Sequence, residues 1–315
     1  MSCTNRKRFE GPPETAVHEI GGKDLPARLK IWKRNLRVAA AREHCADDLY
    51  MGDHWSVVRT IPGEADKSGL RVQIWICSAG YGLIRPETPI KAYRATFTRG
   101  EDDYIASGLV EDEHTLHSWW NGVCSYRFST QSTTPRTISG IAAAFPRTPI
   151  VVALSADYLK AVTQDLAGIL ARPYFRDHLS IVSCGTPQAH PIWKHNLLPC
   201  DGTLACGVGG TLTSLNARVA RRLFQSLDKK ELTVESLTEL AGAIDRGTRG
   251  TTPSRMANSD SDVARFIRAH LARFPTTSKT RLLQDFRSKG QACEQKRFGE
   301  IYFRVRHEPQ PGMNA

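Results

Sequence analysis

Four short apolar runs punctuate the first two thirds of the chain. Residues 71–77 (RVQIWIC), 149–154 (PIVVAL) and 179–183 (LSIVS) are β-branched and bounded by turn residues, and 196–199 is a weaker fourth. Continuous apolar runs of this kind predict parallel strands buried on both faces. Between them, apolar residues at helical spacing predict helices over 27–43, over 157–171 with Ser155 as N-cap, and over 213–227 after the Gly209-Gly210 turn. Strands alternating with helices predict an α/β domain over residues 1–244 with a mainly parallel, doubly wound sheet.

Several predicted strands end in small, polar tips. They are Ser78-Ala79-Gly80-Tyr81-Gly82, Ser155-Ala156-Asp157 and Cys184-Gly185-Thr186. The first residues, Ser2-Cys3-Thr4-Asn5, have the same character, although most of a strand leading into them would have to precede residue 1. Open α/β sheets bind ligands outside the carboxyl ends of their strands, where small residues admit a ligand to the backbone. Ordinary turns use the same residues, so it is the recurrence of such tips that points to a pocket.

The last third is organised differently. Residues 245–262 (DRGTRGTTPSRMANSDSD) have no apolar period and predict a linker. Residues 263–315 predict three short helices: VARFIRAHLARF stopped by Pro275, SKTRLLQDFRSKG capped from Thr276 and Thr277, and ACEQKRFGEIYFRV. Between Val263 and Arg306, eleven Lys and Arg face three acids, a surplus of eight. A compact basic helical module of this kind fits nucleic acid, for example as a helix-turn-helix variant. A solvated basic lid on the main domain fits the same pattern.

Charge over the whole chain adds to that reading. The 315 residues carry a formal charge of +11, which attracts polyanions. Eight cysteines are dispersed without a CxxC pair, the amino-terminal MSCTNRKR leads into no apolar run, and no stretch approaches a membrane span. Reduced thiols in a cytoplasm, with no membrane partner, are therefore expected. His190, His195, Cys200 and Cys206 are zinc-ligand types, but their H-x4-H-x4-C-x5-C spacing matches no standard zinc pattern, and no metal is expected. Cys184 sits at a strand end without a base placed beside it.

The segment Ile76–Tyr93, ICSAGYGLIRPETPIKAY, carries a resemblance. It is similar to the SAxYGLxxP signature of a bacterial and phage protein family that includes YaaA-type peroxide-stress proteins and phage-defence proteins. Ser2-Cys3-Thr4-Asn5-Arg6-Lys7 resembles that family's SCxxxK tip. Asp48-Leu49-Tyr50-Met51-Gly52-Asp53, with Trp55 following, resembles its LYxGxxF/W element. Weaker likenesses lie at 209–220 (GGTLTSLNARVA) and 278–298. Gly80 departs from the pattern, since the family usually has Lys or a larger residue there, and any role of that lysine does not carry over.

The resemblance implies a three-layer sheet like that of uracil-DNA glycosylases. It also implies a function: a DNA glycosylase that excises a modified base, such as glucosylated hydroxymethylcytosine, from phage DNA in antiviral defence. Such an enzyme flips its target base into a pocket. It stabilises an oxocarbenium-like transition state with a carboxylate or a positioned water, and donors receive the leaving base. It calls for no cofactor. On this reading Asp53 is the carboxylate and Asp157 its rival. Tyr81 stacks on the base, Ser78 and Asn5 bond its edge or place water, and His190 or His195 stabilises the departing base. Arg6, Lys7, Arg218, Arg221, Arg222, Lys279, Arg281, Arg287, Lys296 and Arg297 are the expected phosphate contacts. Two other classes fit the same residues: a non-catalytic DNA-binding stress protein, and a base or nucleotide transferase acting on nucleic acid.

Overall fold

The computed structural model describes residues 1–128, 135–185, 190–227, 231–246, 256–275 and 277–307. The chain divides into two compact units, Met1–Gly247 and Thr248–Ala315.

In the first unit, α1 (Leu25–Val38) starts where Asp24 accepts a hydrogen bond from the Ala27 amide, and it buries Trp32 and Leu36. It stops at Val38 because Lys91 Nζ donates to the Arg37 and Ala39 carbonyls, satisfying acceptors that a further turn would have used. The helix expected through residue 43 is therefore shorter, and Glu43–Cys45 instead forms β1, antiparallel to β4 (Pro89–Lys91). Helix α2 (Asp53–Lys67) follows Gly52, whose φ of 92° only glycine adopts cheaply. It buries Trp55, Val58 and Ile61.

Strand β2 (Ile76–Ser78) forms a hairpin with β3 (Gly82–Ile84) and, on its other side, a parallel bridge from Cys77 to Ser2. The expected strand 71–77 is thus reduced to its last residues, and 71–75 joins no ladder. Helices α3 (Thr115–Cys124) and α4 (Ile138–Ala144) precede β5 (Ile150–Ala153), which pairs in parallel with β6 (Leu179–Val182). A single rung, the Leu198 amide on the Ile181 carbonyl at 2.9 Å, is what remains of the weak fourth strand.

The helix expected over 157–171 is two helices, α5 (Ala156–Ala161) and α6 (Thr163–Leu170). The break falls at Val162, with φ −100° and ψ 8°. There the Thr163 hydroxyl donates to the Leu159 carbonyl at 2.9 Å, a local bond that competes with the helical ladder. Ser155 occupies the N-cap position without a side-chain bond. After α7 (Pro173–His178), α8 (Leu215–Ser226) lies along α2, with Ile61, Val219 and Leu223 in one apolar cluster. Helix α9 (Val234–Gly242) closes the unit through a Thr233/Ser236 capping box. The unit is mixed α/β with small sheets, one of them a parallel pair.

The second unit has its own core of Val263, Ile267, Leu282, Phe286, Phe298 and Ile301. These residues come from α10 (Asp260–Arg273), α11 (Lys279–Ser288) and α12 (Gln295–His307), with a two-residue parallel pair, β7 (Met256–Ala257) and β8 (Gln291–Ala292). Helix α10 begins inside the expected linker, because Ser259 caps it through the Asp262 amide. Residues 247–255 of that linker, and Thr276, lie outside the described residues. Ser278, not Thr277, caps α11. Among the described residues no helix is long and apolar enough to cross a membrane.

Candidate active site at the strand tips

The Ser78–Gly82 tip is a packed turn. Ser78 Oγ accepts from the Tyr81 amide at 3.0 Å and is fully buried. Trp119 Nε1 donates to the Ala79 carbonyl at 2.7 Å, Trp32 Nε1 to the Gly80 carbonyl at 2.9 Å, and Arg136 to the Tyr81 carbonyl at 2.6 Å. The three central carbonyls of the turn are thereby satisfied by side-chain donors, as buried peptide groups require. The Tyr81 ring is buried between Tyr93 and Phe128, and its hydroxyl accepts from the Lys91 amide at 3.0 Å. Neither Ser78 nor Tyr81 is exposed to an incoming base, and Tyr81 is a packed core aromatic rather than the stacking residue expected of it. Gly80 is compact for a reason: a Cβ there would lie 2.6 Å from Tyr93 ring carbons.

Behind this turn the SCxxxK-like and LYMG-like segments meet. The Lys7–Tyr50 bridge is antiparallel, the Arg8 amide donates to the Leu49 carbonyl, and the Met51 amide donates to the Arg6 carbonyl. Lys7 is thereby placed with Nζ 4.1 Å from the centre of the Tyr93 ring and 3.1 Å from the Thr4 carbonyl that it donates to. Hydroxyls and a thiol surround the same space. Tyr93 OH links Ser78 Oγ at 2.7 Å to Tyr50 OH at 2.9 Å, and Tyr158 OH lies 3.2 Å from Cys3 Sγ. Among the described residues no carboxylate pairs with Lys7. Burial lowers its amine to about 8, as desolvation disfavours the charged form. Burial likewise pushes the hydroxyls of Tyr50, Tyr93 and Tyr158 well up, so they stay protonated.

A second group lies at the start of α2. Asp53 accepts from Ser214 Oγ at 2.5 Å and pairs with Arg218 at 2.5 Å, both partners at the start of α8. The bonds from Ser214 and Arg218 hold its carboxyl below the usual range, while its side chain keeps 42% of its surface exposed. His54, the next residue, sets Nε2 3.1 Å from the Ser2 carbonyl. Burial lowers its pKa, so the imidazole is neutral at pH 7. Ser2 therefore ties this group to the segment that carries Lys7. At the neighbouring tip of β6, the Cys184 amide donates to Asn216 Oδ1 at 2.7 Å, again from α8. The combination is a held carboxylate, a neutral imidazole and an amine of lowered pKa at one end of the strands.

The other candidates are placed as follows. Asn5 and Arg6 are exposed beside these groups, and the Arg6 stem packs over Gly52. Asp157 accepts from the Arg99 amide at 3.4 Å and pairs with Lys160 at 3.6 Å. Arg222 is exposed, while Arg221 lies near Glu64, further along α8 than Arg218. His190 is exposed and stacks on Trp193, and His195 is exposed. Thr186 lies outside the described residues. Among the described residues no three His, Cys, Asp or Glu side chains gather as metal ligands. The Cys184 thiol is raised by its bond with Cys200 and by burial, the reverse of what a nucleophilic thiolate needs.

In the second unit Arg281 is exposed, and Lys279 Nζ sits 5.0 Å from the Phe303 ring. Arg287 donates to the Cys293 carbonyl at 3.0 Å, and Arg297 pairs with Asp260 at 2.5 Å. The last two hold the unit together. The Lys296 side chain lies outside the described residues.

His54, Tyr93 and Tyr158 were missed by sequence reasoning. His54 stands between two residues that the LYMG-like element had already marked, and Tyr93 ends the signature segment. Tyr158 had no signal beyond its place after a strand tip. No family model, curated protein or solved structure matches this chain.

Proposed function

We propose that the chain is a DNA glycosylase that cleaves the N-glycosidic bond of a modified base, with glucosylated hydroxymethylcytosine in phage DNA as the substrate class. The observation that carries this reading is the backbone pairing of the Lys7 segment with the segment that leads into Asp53 and His54, with His54 also bonded to the Ser2 carbonyl. Asp53, kept ionised by Ser214 and Arg218, faces the positive charge that develops on the sugar, or takes the proton of the attacking water. Lys7, protonated at pH 7 with its pKa at about 8, gives a proton or a hydrogen bond to the departing base. Exposed Asn5, Arg6 and Arg222 serve the phosphates and the edge of the flipped nucleotide. The surplus of eight positive charges between Val263 and Arg306 supports salt-sensitive backbone binding by the second unit.

The burial of Ser78 and Tyr81 leaves neither the edge contact expected of Ser78 nor the stacking expected of Tyr81. Asp53, in turn, is already neutralised by Arg218 in this conformation, which favours a second reading, a DNA-binding protein without catalysis. Chromatography of the small molecules released from phage DNA bearing the modified base separates the two. Free modified base supports the glycosylase, and salt-sensitive DNA retention with no free base supports the binding protein.

A further inference from the structure

Two lysines of the first unit sit against carboxylates: Lys67 Nζ lies 3.0 Å from Glu64 and Lys160 Nζ 3.6 Å from Asp157. Lys7 is held differently. Its Nζ donates to the Thr4 carbonyl at 3.1 Å and lies 4.1 Å from the centre of the Tyr93 ring, with the Tyr50 ring centre at 5.8 Å. Among the described residues the Thr4 carbonyl is its one hydrogen-bond acceptor, so two of the three N–H groups of the ammonium find no acceptor there. Asp103 is the carboxylate whose charge acts on Lys7, and it is taken up by His18 at 2.5 Å and faced by Arg94 at 4.0 Å. The Lys7 side chain is half-buried, and Asn5, Arg6 and Arg8 beside it in the chain are exposed.

An amine so placed is suited to attack a carbonyl carbon. The neutral amine is the nucleophile, and burial without a paired carboxylate favours it. A carboxylate partner would instead keep the group protonated. Condensation gives an iminium, which carries the positive charge again. The face of the Tyr93 ring that lies against the ammonium can receive that cation in turn.

We propose that Lys7 is the nucleophile of a second activity, the covalent capture, as a Schiff base, of the sugar aldehyde at an abasic site in DNA. The inference rests on the glycosylase reading for its ligand, since base excision produces that sugar. In its ring-opened form the abasic sugar has an aldehyde at C1′. The Nζ lone pair forms a bond to C1′, and the carbonyl π pair moves to oxygen. The resulting carbinolamine loses its hydroxyl as water, taking up the proton that the ammonium released, and the C1′–Nζ double bond forms. Ammonium and aldehyde thus give iminium and water, and the balance needs no oxidant or reductant. Addition of water reverses the step and frees the amine. While the bond lasts, it keeps the abasic product on the protein.

The test incubates wild-type, Lys7→Arg and Lys7→Met proteins with duplex DNA that already contains an abasic site. Borohydride then reduces any Schiff base to a stable amine. Denaturing gels count the protein–DNA adduct, and mass spectrometry of its peptides locates the bond. The expected result is an adduct at Lys7 with wild type and at least about tenfold less adduct with either variant. Lys7→Arg keeps the charge and DNA attraction, so its loss of adduct separates bond formation from binding. Equal adduct with Lys7→Arg, or a bond mapped to another amine, overturns the proposal. The preformed abasic site makes the outcome independent of base excision. An adduct at Lys7 without base release from modified DNA supports the capture and removes the glycosylase reading. Base release without an adduct overturns the capture and leaves that reading standing.

Discussion

Asp53 and Arg218 meet in a 2.5 Å ion pair between the first turns of two helices that run side by side, 165 residues apart in sequence. The pair places a carboxylate beside the strand tips and keeps it ionised. It is partly solvated, so it adds little to stability. Asp53→Asn is expected to lower the melting free energy by less than about 1 kcal/mol and to cut base release at least about 100-fold. Chemical denaturation and a base-release assay on the same preparation check both halves. Arg218→Ala should leave the fold intact and move the Asp53 carboxyl up part of the way, since the Ser214 bond, the larger cause of its lowering, remains; this is read as an upward shift in the acid limb of the pH–rate profile.

Lys7 bears a charge that its surroundings penalise. Its folded pKa, about 8, lies below the unfolded value of about 10.4. The unfolded chain therefore binds more protons between those values, and stability rises with pH across that window. Lys7→Met should stabilise the protein at pH 7 by about 1–2 kcal/mol and abolish base release. The stability advantage should shrink as pH rises from 8 and be gone above about 10.4. Melting curves at pH 7, 9 and 11 decide it, and an advantage that does not change with pH would count against a buried ammonium.

Gly82 has φ of +75°, and a Cβ on it would lie 2.8 Å from Cys124 Sγ. Gly82→Ala is expected to cost about 2–3 kcal/mol, which denaturant titration measures. That outcome would mark the SAGYGL segment as a structural turn.

If the second unit binds DNA as proposed, Arg281 and Arg297 should separate binding from folding. Arg281 is exposed, whereas Arg297 closes on Asp260. Arg281→Ala should weaken DNA binding, with the slope of log affinity against log salt falling by about 1, and leave melting unchanged. Arg297→Ala should instead lower the melting temperature of that unit. Filter binding at several salt concentrations and calorimetry provide the two readouts.

Where local pattern determined structure, the sequence was readable. The β-branched runs at 149–154 and 179–183 became the parallel pair, and 278–290 became a helix capped by Ser278. Helix α2 was not anticipated, because its most legible residues belong to a motif and Pro62 interrupts its pattern. The end of α1 depended on Lys91, far along the chain, which no local window contains. For the candidate site, motif position singled out Asp53, and Lys7 as a phosphate contact, but could not separate exposed from buried members: Lys7 turns inward to the Tyr93 ring. Ser78 and Tyr81 belong to the same signature, yet three core donors, Trp32, Trp119 and Arg136, draw that turn inward.

In the proposed function Asp53 and Lys7 together break a glycosidic bond. The most direct measurement is alkali-induced strand breakage in phage DNA carrying glucosylated hydroxymethylcytosine and in unmodified DNA, with wild-type, Asp53→Asn and Lys7→Met proteins. Breaks are expected only in the modified DNA and only with wild type. Intact DNA in every lane, with both DNAs retained at low salt, would contradict it and leave a protein that binds DNA without cutting the base from its sugar.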